Sequence, residues 1–273
     1  TSKTRYSTEY DPSIPDILRP LPASVTSTSP GVVAQSIVFT LDDIRRDGND
    51  AYWQSGSRAT ELSVTAVSSS YPEFVEMNVA TMPGLTNAQL TTHLINVCED
   101  RGDALAVIDI ENVYTADSEG TESVTERKGT VTQAIASLRN RAVNSSYGCT
   151  FYPWVQIKDE NTGRILWAPP SVAMLGVFGS SEARSELWFA PAGFNRGGLT
   201  DGAAGLPILS VSERLSSDDR DDLYEANINP IATFPDNGIV VFGQKTLQEG
   251  QSALDRINVR RLAIYLKKQI SRM

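Results

Sequence analysis

Apolar positions recur at helical spacing from residue 86 onward. Leu90, Leu94 and Val97 share one face, and Thr86 or Asn87 can cap the turn before them, which predicts a helix over residues 86–99. Ala104-Leu105-Ala106-Val107-Ile108-Asp109-Ile110 is a nearly continuous apolar run, the pattern of a strand buried on both faces. After a polar stretch at residues 112–124, Val131, Ile135, Leu138 and Ala142 line one face of a second helix, and residues 150–157 read as a second strand. Strand, helix, strand in this order is a βαβ unit, so parallel pairing and a right-handed crossover are expected.

Further along, Asn161-Thr162-Gly163 before Ile165-Leu166-Trp167 predicts a β-hairpin. Pro169 and Pro170 open a helix, and its residues 171–179 are small and apolar, which suits close packing. Residues 193–205 form a glycine-rich loop, and Ser216-Ser217-Asp218-Asp219 caps a short helix running to Ala226. A turn at Asp236-Asn237-Gly238 precedes a strand over 238–242. The chain ends in a helix over about 252–271, with Leu254, Ile257, Leu262, Leu266 and Ile270 expected inward. The first quarter is different. Pro12, Pro15, Pro20, Pro22 and Pro30 break residues 1–36 into loops, while 37–41, 61–67 and 74–79 read as short strands around a turn-rich 42–56. The fold class is α/β (mixed α+β): a central sheet with a βαβ unit and a β-hairpin flanked by helices, plus a smaller β-rich N-terminal part. Two domains are expected, an irregular β-rich region over 1–75 and an α/β core over 76–273, with the boundary near Tyr71-Pro72.

Charge sharpens this picture. The net charge is −9, which argues against general nucleic-acid binding, where basic surface must displace counterions. Residues 255–273 carry six Lys and Arg against Asp255, +6 − 1 = +5, which leaves −9 − 5 = −14 on residues 1–254. Opposite charge at separate places suits association with a like subunit or an acidic partner; a solvated basic helix face is the plainer reading. The two cysteines, Cys98 and Cys149, lie in no disulfide or metal spacing and read as buried free thiols of a reducing compartment. No apolar run is long enough to cross a membrane. The missing initiator Met at Thr1 reads as processing or trimming.

Candidate chemistry is sparse. The only histidine, His93, stands on a helix beside Leu94 and reads as a surface or partly packed residue; neither cysteine lies usefully close to it in sequence, no G-x-S-x-G elbow is present, and a multi-histidine zinc site is impossible within one chain. Asp109 and Glu111 alternate at a strand end and would face one side. They could hold a metal or do acid/base work, or they are a solvated strand end. Gly193-Phe194-Asn195-Arg196-Gly197-Gly198 has neither phosphate-loop order nor a lysine, so a structural loop with unusual backbone angles is expected. Trp154, Trp167 and Trp188 suit core or interface anchors. No catalytic residue, cofactor or metal site is assigned.

Three stretches resemble the tail sheath proteins of contractile-tailed phages. One is Tyr152-Pro153-Trp154-Val155-Gln156-Ile157-Lys158-Asp159, with Gly163-Arg164 and Trp167-Ala168-Pro169-Pro170-Ser171-Val172-Ala173. Another is Trp188-Phe189-Ala190-Pro191-Ala192-Gly193-Phe194-Asn195-Arg196-Gly197. The last is Leu223-Tyr224-Glu225-Ala226-Asn227-Ile228-Asn229-Pro230-Ile231, with Val241-Phe242-Gly243-Gln244-Lys245-Thr246-Leu247 and Asn258-Val259-Arg260-Arg261-Leu262. Together they cover most of residues 103–273, whereas the first 75 residues carry no such signature. The resemblance implies a non-enzymatic subunit of a helical sleeve around a tail tube, triggered by a baseplate and contracting without nucleotide. It also implies residence in the virion tail and assembly in the host bacterial cytoplasm. A sheath of a bacteriocin particle or secretion system resembles it equally, and a metal-dependent α/β hydrolase at Asp109 and Glu111 or a passive decoration protein are the rivals. Family members usually continue past the Arg260-Arg261 helix into a further domain, so a core piece, monomeric or weakly associating alone, is expected. Arg260, Arg261, Lys267 and Lys268 are the expected basic face toward a neighbour, and Asn195 and Arg196 in the 193–198 loop an expected contact or brace.

Overall fold

The computed structural model describes residues 77–112, 130–158, 163–200 and 207–271, all within one compact unit, Tyr71–Met273. The strands expected over 37–41 and 61–67 and the turn at Asn161-Thr162 lie outside the described residues.

A five-stranded sheet runs in the order β1-β2-β3-β7-β8, built from β1 (Val79–Thr81), β2 (Leu105–Ile108), β3 (Gly148–Tyr152), β7 (Asn229–Phe234) and β8 (Gly238–Val241). The first four strands are mutually parallel and β8 returns antiparallel from β7. Helix α1 (Ala88–Arg101) crosses from β1 to β2, and α2 (Val131–Arg139) from β2 to β3. The expected βαβ unit is therefore present, with Ala106 opposite Gly148 and Ile108 opposite Thr150. A second sheet, all antiparallel, has the order β5-β4-β6, with β4 (Val155–Lys158), β5 (Ile165–Ala168) and β6 (Ile208–Val211). The expected hairpin is its β4–β5 half, where Lys158 pairs with Ile165. Helices α3 (Pro170–Arg184), α4 (Ser217–Glu225) and α5 (Ile257–Ser271) complete the element list.

Local chemistry sets the helix starts. Asn87 accepts from the amides of Gln89 and Leu90 at 2.9 and 3.2 Å and so begins α1. Ser216 and Asp219 exchange side-chain and backbone bonds at the start of α4, with Asp219 N donating to Ser216 Oγ at 3.1 Å. Pro170 occupies the first turn of α3, where its missing N–H is no loss.

The core follows strand alternation. Leu105, Val107, Cys149, Phe151, Ile231 and Val241 face Ala173, Met174, Val177 and Phe178 of α3 and Ile257 and Ile264 of α5. The next residues along point the other way. At Gly148 an added Cβ would stand 3.1 Å from Ile95 of α1, so this glycine lets α1 approach the opposite face. Both cysteines are buried free thiols, and burial pushes the Cys98 thiol up to about 12. Such thiols stay protonated and inert.

Several expectations shift. Residues 150–157 form two strands in different sheets, because Pro153 has no N–H to continue a ladder; its bond to Tyr152 is cis. Ala142 lies beyond the end of α2, at φ 48°. The last helix begins at Ile257, after a 3₁₀ turn at Ala253–Asp255. Its inward face is Ile257, Arg260, Arg261 and Ile264, whereas Leu254 and Leu262 are half-buried and Leu266 and Ile270 are exposed.

Candidate inter-subunit surface

Helix α5 presents an unusual inner face, two adjacent buried arginines between apolar turns. A residue and its neighbours three, four and seven positions on share one side of a helix, and here that side is Ile257, Arg260, Arg261, Ile264 and Lys268. Arg260 lies over the Tyr147 ring at 4.0 Å and donates to Ser146 Oγ. Arg261 lies over the Phe178 ring at 4.9 Å and pairs with Glu182 of α3 at 3.0 Å. Burial lowers the pKa of both guanidiniums. The two lysines reach back to other elements. Lys267 donates to the Arg101 carbonyl that ends α1, and Lys268 donates to the Met77 carbonyl and to Asn78. The expected basic face thus divides into two buried arginines and two lysines nearer the surface, while Tyr265, Leu266 and Ile270 make the exposed side of α5 apolar.

The 193–198 loop is stitched to the free edge of β8. Gly193 N donates to Val241 O at 2.8 Å, Val241 N to Gly197 O at 2.8 Å, and Leu199 N to Ile239 O at 2.8 Å. A Cβ at Gly197 would stand 2.8 Å from Val241 O and 2.9 Å from two Gly193 backbone atoms, so only glycine fits this approach. Arg196 is held by the Ala190 carbonyl at 2.9 Å and stacks over Phe189 at 4.9 Å, while Asn195 is exposed.

Beside this loop the structure assembles an aromatic patch that sequence reading missed. Phe194, Phe234 and Phe242 have ring centroids 5.2 to 6.2 Å apart, and Arg220 of α4 lies over Phe234 at 5.1 Å. Phe194 and Phe242 are about half exposed. Phe234 and Phe242 come from the two sides of the β7–β8 hairpin, whereas Phe194 is distant along the chain and the docked loop brings it to them.

Asp109 and Glu111 are not a pair. Glu111 is exposed, whereas Asp109 is buried and accepts from Ser171 N at 3.1 Å, Ser171 Oγ at 2.6 Å and Gly84 N at 2.9 Å. It is neither a solvated strand end nor half of an acid/base couple. It ties the end of β2 to the positive end of α3 and to the turn after β1. Burial holds its carboxyl above the ordinary range, although Ser171 and Gly84 pull the other way. Between the ordinary value of 3.8 and the raised folded one, the folded chain binds more protons than the unfolded chain, so stability falls as pH rises through that window. Asp109→Asn has no such titration. Its stability relative to the parent should improve from about pH 3 to about pH 7 in urea titrations, and a flat difference would contradict this account. Among the described residues no group of three or more His, Cys, Asp or Glu could hold a metal ion, and no helix is long and apolar enough to cross a membrane.

A family model described as the phage tail sheath protein central domain matches residues 58–247. The chain belongs to the phage tail sheath family. The match starts within the first 75 residues, where no family signature was legible, and stops short of Asn258-Val259-Arg260-Arg261-Leu262. The tail sheath protein of Vibrio phage KVP40 is 36% identical over 140 residues, 51% of this chain and 20% of that protein. That of Salmonella phage ViI is 30% identical over 200 residues, 71% of this chain and 31% of its own. The sheath domain therefore spans less than a third of these curated relatives. In fold it is similar to a subunit of the contracted sheath complex of the extracellular contractile injection system PVC, with a TM-score of 0.55 at 20% identity, covering 80% of this chain and 56% of that one.

Proposed function

We propose that this chain is the central part of a structural subunit of a contractile phage tail sheath. Copies of the full subunit form a helical sleeve around the tail tube, and a baseplate trigger lets neighbours slide and rotate into a shorter, wider lattice that drives the tube through the host envelope. The observation that carries this reading is the family match over residues 58–247. The packing supports it: a sleeve that stores free energy between subunits needs subunits that move as rigid bodies. Here one apolar core joins both sheets to α3 and α5. In this reading the chain performs no catalysis and takes no cofactor, makes no direct contact with nucleic acid or membrane, is assembled in the bacterial cytoplasm and resides in the virion tail.

The proposed contact residues are Lys267 and Lys268 with Arg260 and Arg261 behind them, and Asn195 and Arg196 on the braced loop. Lys267→Glu with Lys268→Glu should slow assembly of the full-length sheath more at low salt than at high salt, because surface charge is screened within about 10 Å at 0.1 M ionic strength. Equal assembly rates at both salts would remove the two lysines from the interface.

Immunogold labelling of purified virus particles tests the function itself. Label along the whole tail, extended and contracted, is the expected result. Label restricted to capsid or baseplate, or absent from intact particles of verified source, would overturn it.

A further inference from the structure

The turn that joins β7 to β8 runs through Pro235, Asp236 and Asn237, and all three are exposed. Asn237 precedes Gly238, and no other asparagine of the chain is followed by glycine. Gly238 has φ 66°, a backbone angle that suits glycine, and an added Cβ there would collide with the Thr200 side chain. The turn therefore needs glycine at 238, and glycine brings no side chain of its own to shield its amide nitrogen. Among the described residues no hydrogen bond holds the Asn237 carboxamide. Asn144, which precedes the small Ser145 and is also exposed, differs on this point, because its Oδ1 accepts from Glu249 N at 3.1 Å.

A free carboxamide beside an unshielded glycine nitrogen has a chemistry of its own. Once hydroxide has removed its proton, the Gly238 amide nitrogen can attack Cγ of Asn237. A bond forms between that nitrogen and Cγ, the bond from Cγ to Nδ2 breaks, and Nδ2 takes a proton from water and leaves as ammonia. The product is a cyclic imide. Water then opens it at Cγ, which gives aspartate, or at the main-chain carbonyl, which gives isoaspartate. Nothing is oxidised or reduced. Isoaspartate routes the main chain through the former side chain and so lengthens it by one methylene between residues 237 and 238.

We propose that Asn237 is a site of spontaneous deamidation and isomerisation, and that isoaspartate there loosens the 193–200 loop from β8. The strand register accounts for the second half. Phe234 pairs with Gly238 and Thr233 with Ile239, so the extra main-chain atom falls at the start of β8. Ile239 is also where the loop is tied: its N donates to Thr200 Oγ1 at 2.8 Å, and its carbonyl accepts from Leu199 N at 2.8 Å. The proposal goes beyond the sheath reading and does not depend on it.

Ageing of the purified chain in mildly acidic and mildly alkaline buffer, followed by peptide mass spectrometry, tests the first half. Asn237 should lose its amide faster than Asn144, at a rate that rises about tenfold per pH unit with the deprotonated fraction of the Gly238 amide. Asn237→Gln, which would have to close a larger ring, should stay unconverted. A native chain that keeps the Asn237 amide under conditions where the urea-unfolded chain loses it would overturn the proposal, as would equal rates at the two asparagines or a rate independent of pH. Amide hydrogen exchange tests the second half. Leu199, Ile239 and Val241 should lose about tenfold in protection in the isoaspartate form, which chromatography separates from the parent. Asn237→Asp supplies the new charge without the extra methylene and should keep the parent's protection. Unchanged protection in the isoaspartate form would overturn the loosening, and an equal loss in Asn237→Asp would assign it to charge and overturn it as well.

Discussion

Asn229→Ala is expected to destabilise the domain by about 3 kcal/mol, with one buried and two partly buried backbone groups losing their partner at roughly 1–3 kcal/mol each. Asn229 is fully buried in β7. Its Nδ2 donates to the carbonyls of Thr150 at 2.9 Å and Lys245 at 2.8 Å, and its Oδ1 accepts from Lys245 N at 2.6 Å. One side chain thus joins β3, β7 and the segment that leads into the last helix. Alanine fills none of these roles and leaves no polar replacement. Urea unfolding should show a lower midpoint with an unchanged slope. A loss below about 1 kcal/mol would mean that water reaches these groups and that the asparagine is not the junction described.

Phe178→Ala should cost about 3–5 kcal/mol, the range for emptying a buried phenylalanine site. Phe178 is 2% exposed, meets Phe151 edge-to-face at a centroid distance of 6.4 Å and forms the shelf under Arg261. The loss therefore combines a cavity in the shared core with a slackened guanidinium. Phe194→Ala is the control, since that ring is about half exposed and its removal leaves little cavity. Thermal unfolding of both variants decides the matter, and equal losses would show that the core boundary is drawn in the wrong place.

Much of the fold was legible because its signals are local. The run from Ala104 to Ile110, the Asn87 cap and the Ser216 box each announce their element in a few residues. β7 was not legible: Asn229-Pro230 opens a strand that lies between β3 and β8, and proline is rarely found at such a position. Proline has no N–H to give the ladder but keeps its carbonyl, which accepts from Phe242 N at 2.9 Å. The last helix misled for a different reason. Leu266 and Ile270 carry the apolar signal, yet the inward face contains Arg260 and Arg261, whose stems bury while their charged ends find aromatic rings. The candidate surface was less visible still. Lys267 and Lys268 could be read as basic, but their bonds to Arg101 and Met77 depend on elements more than 160 residues away along the chain.

The loop docked on β8 has a consequence for how this domain behaves when crowded. An open strand edge is a template on which any other chain can stack, and such growth ends in disordered aggregates. Residues 193–199 occupy that edge with the chain's own amides and carbonyls, and Thr200 Oγ1 takes up one more amide, Ile239 N, at 2.8 Å. This side of the sheet therefore gives a neighbouring chain no ladder to extend. The domain can therefore reach high concentration without this edge seeding aggregates.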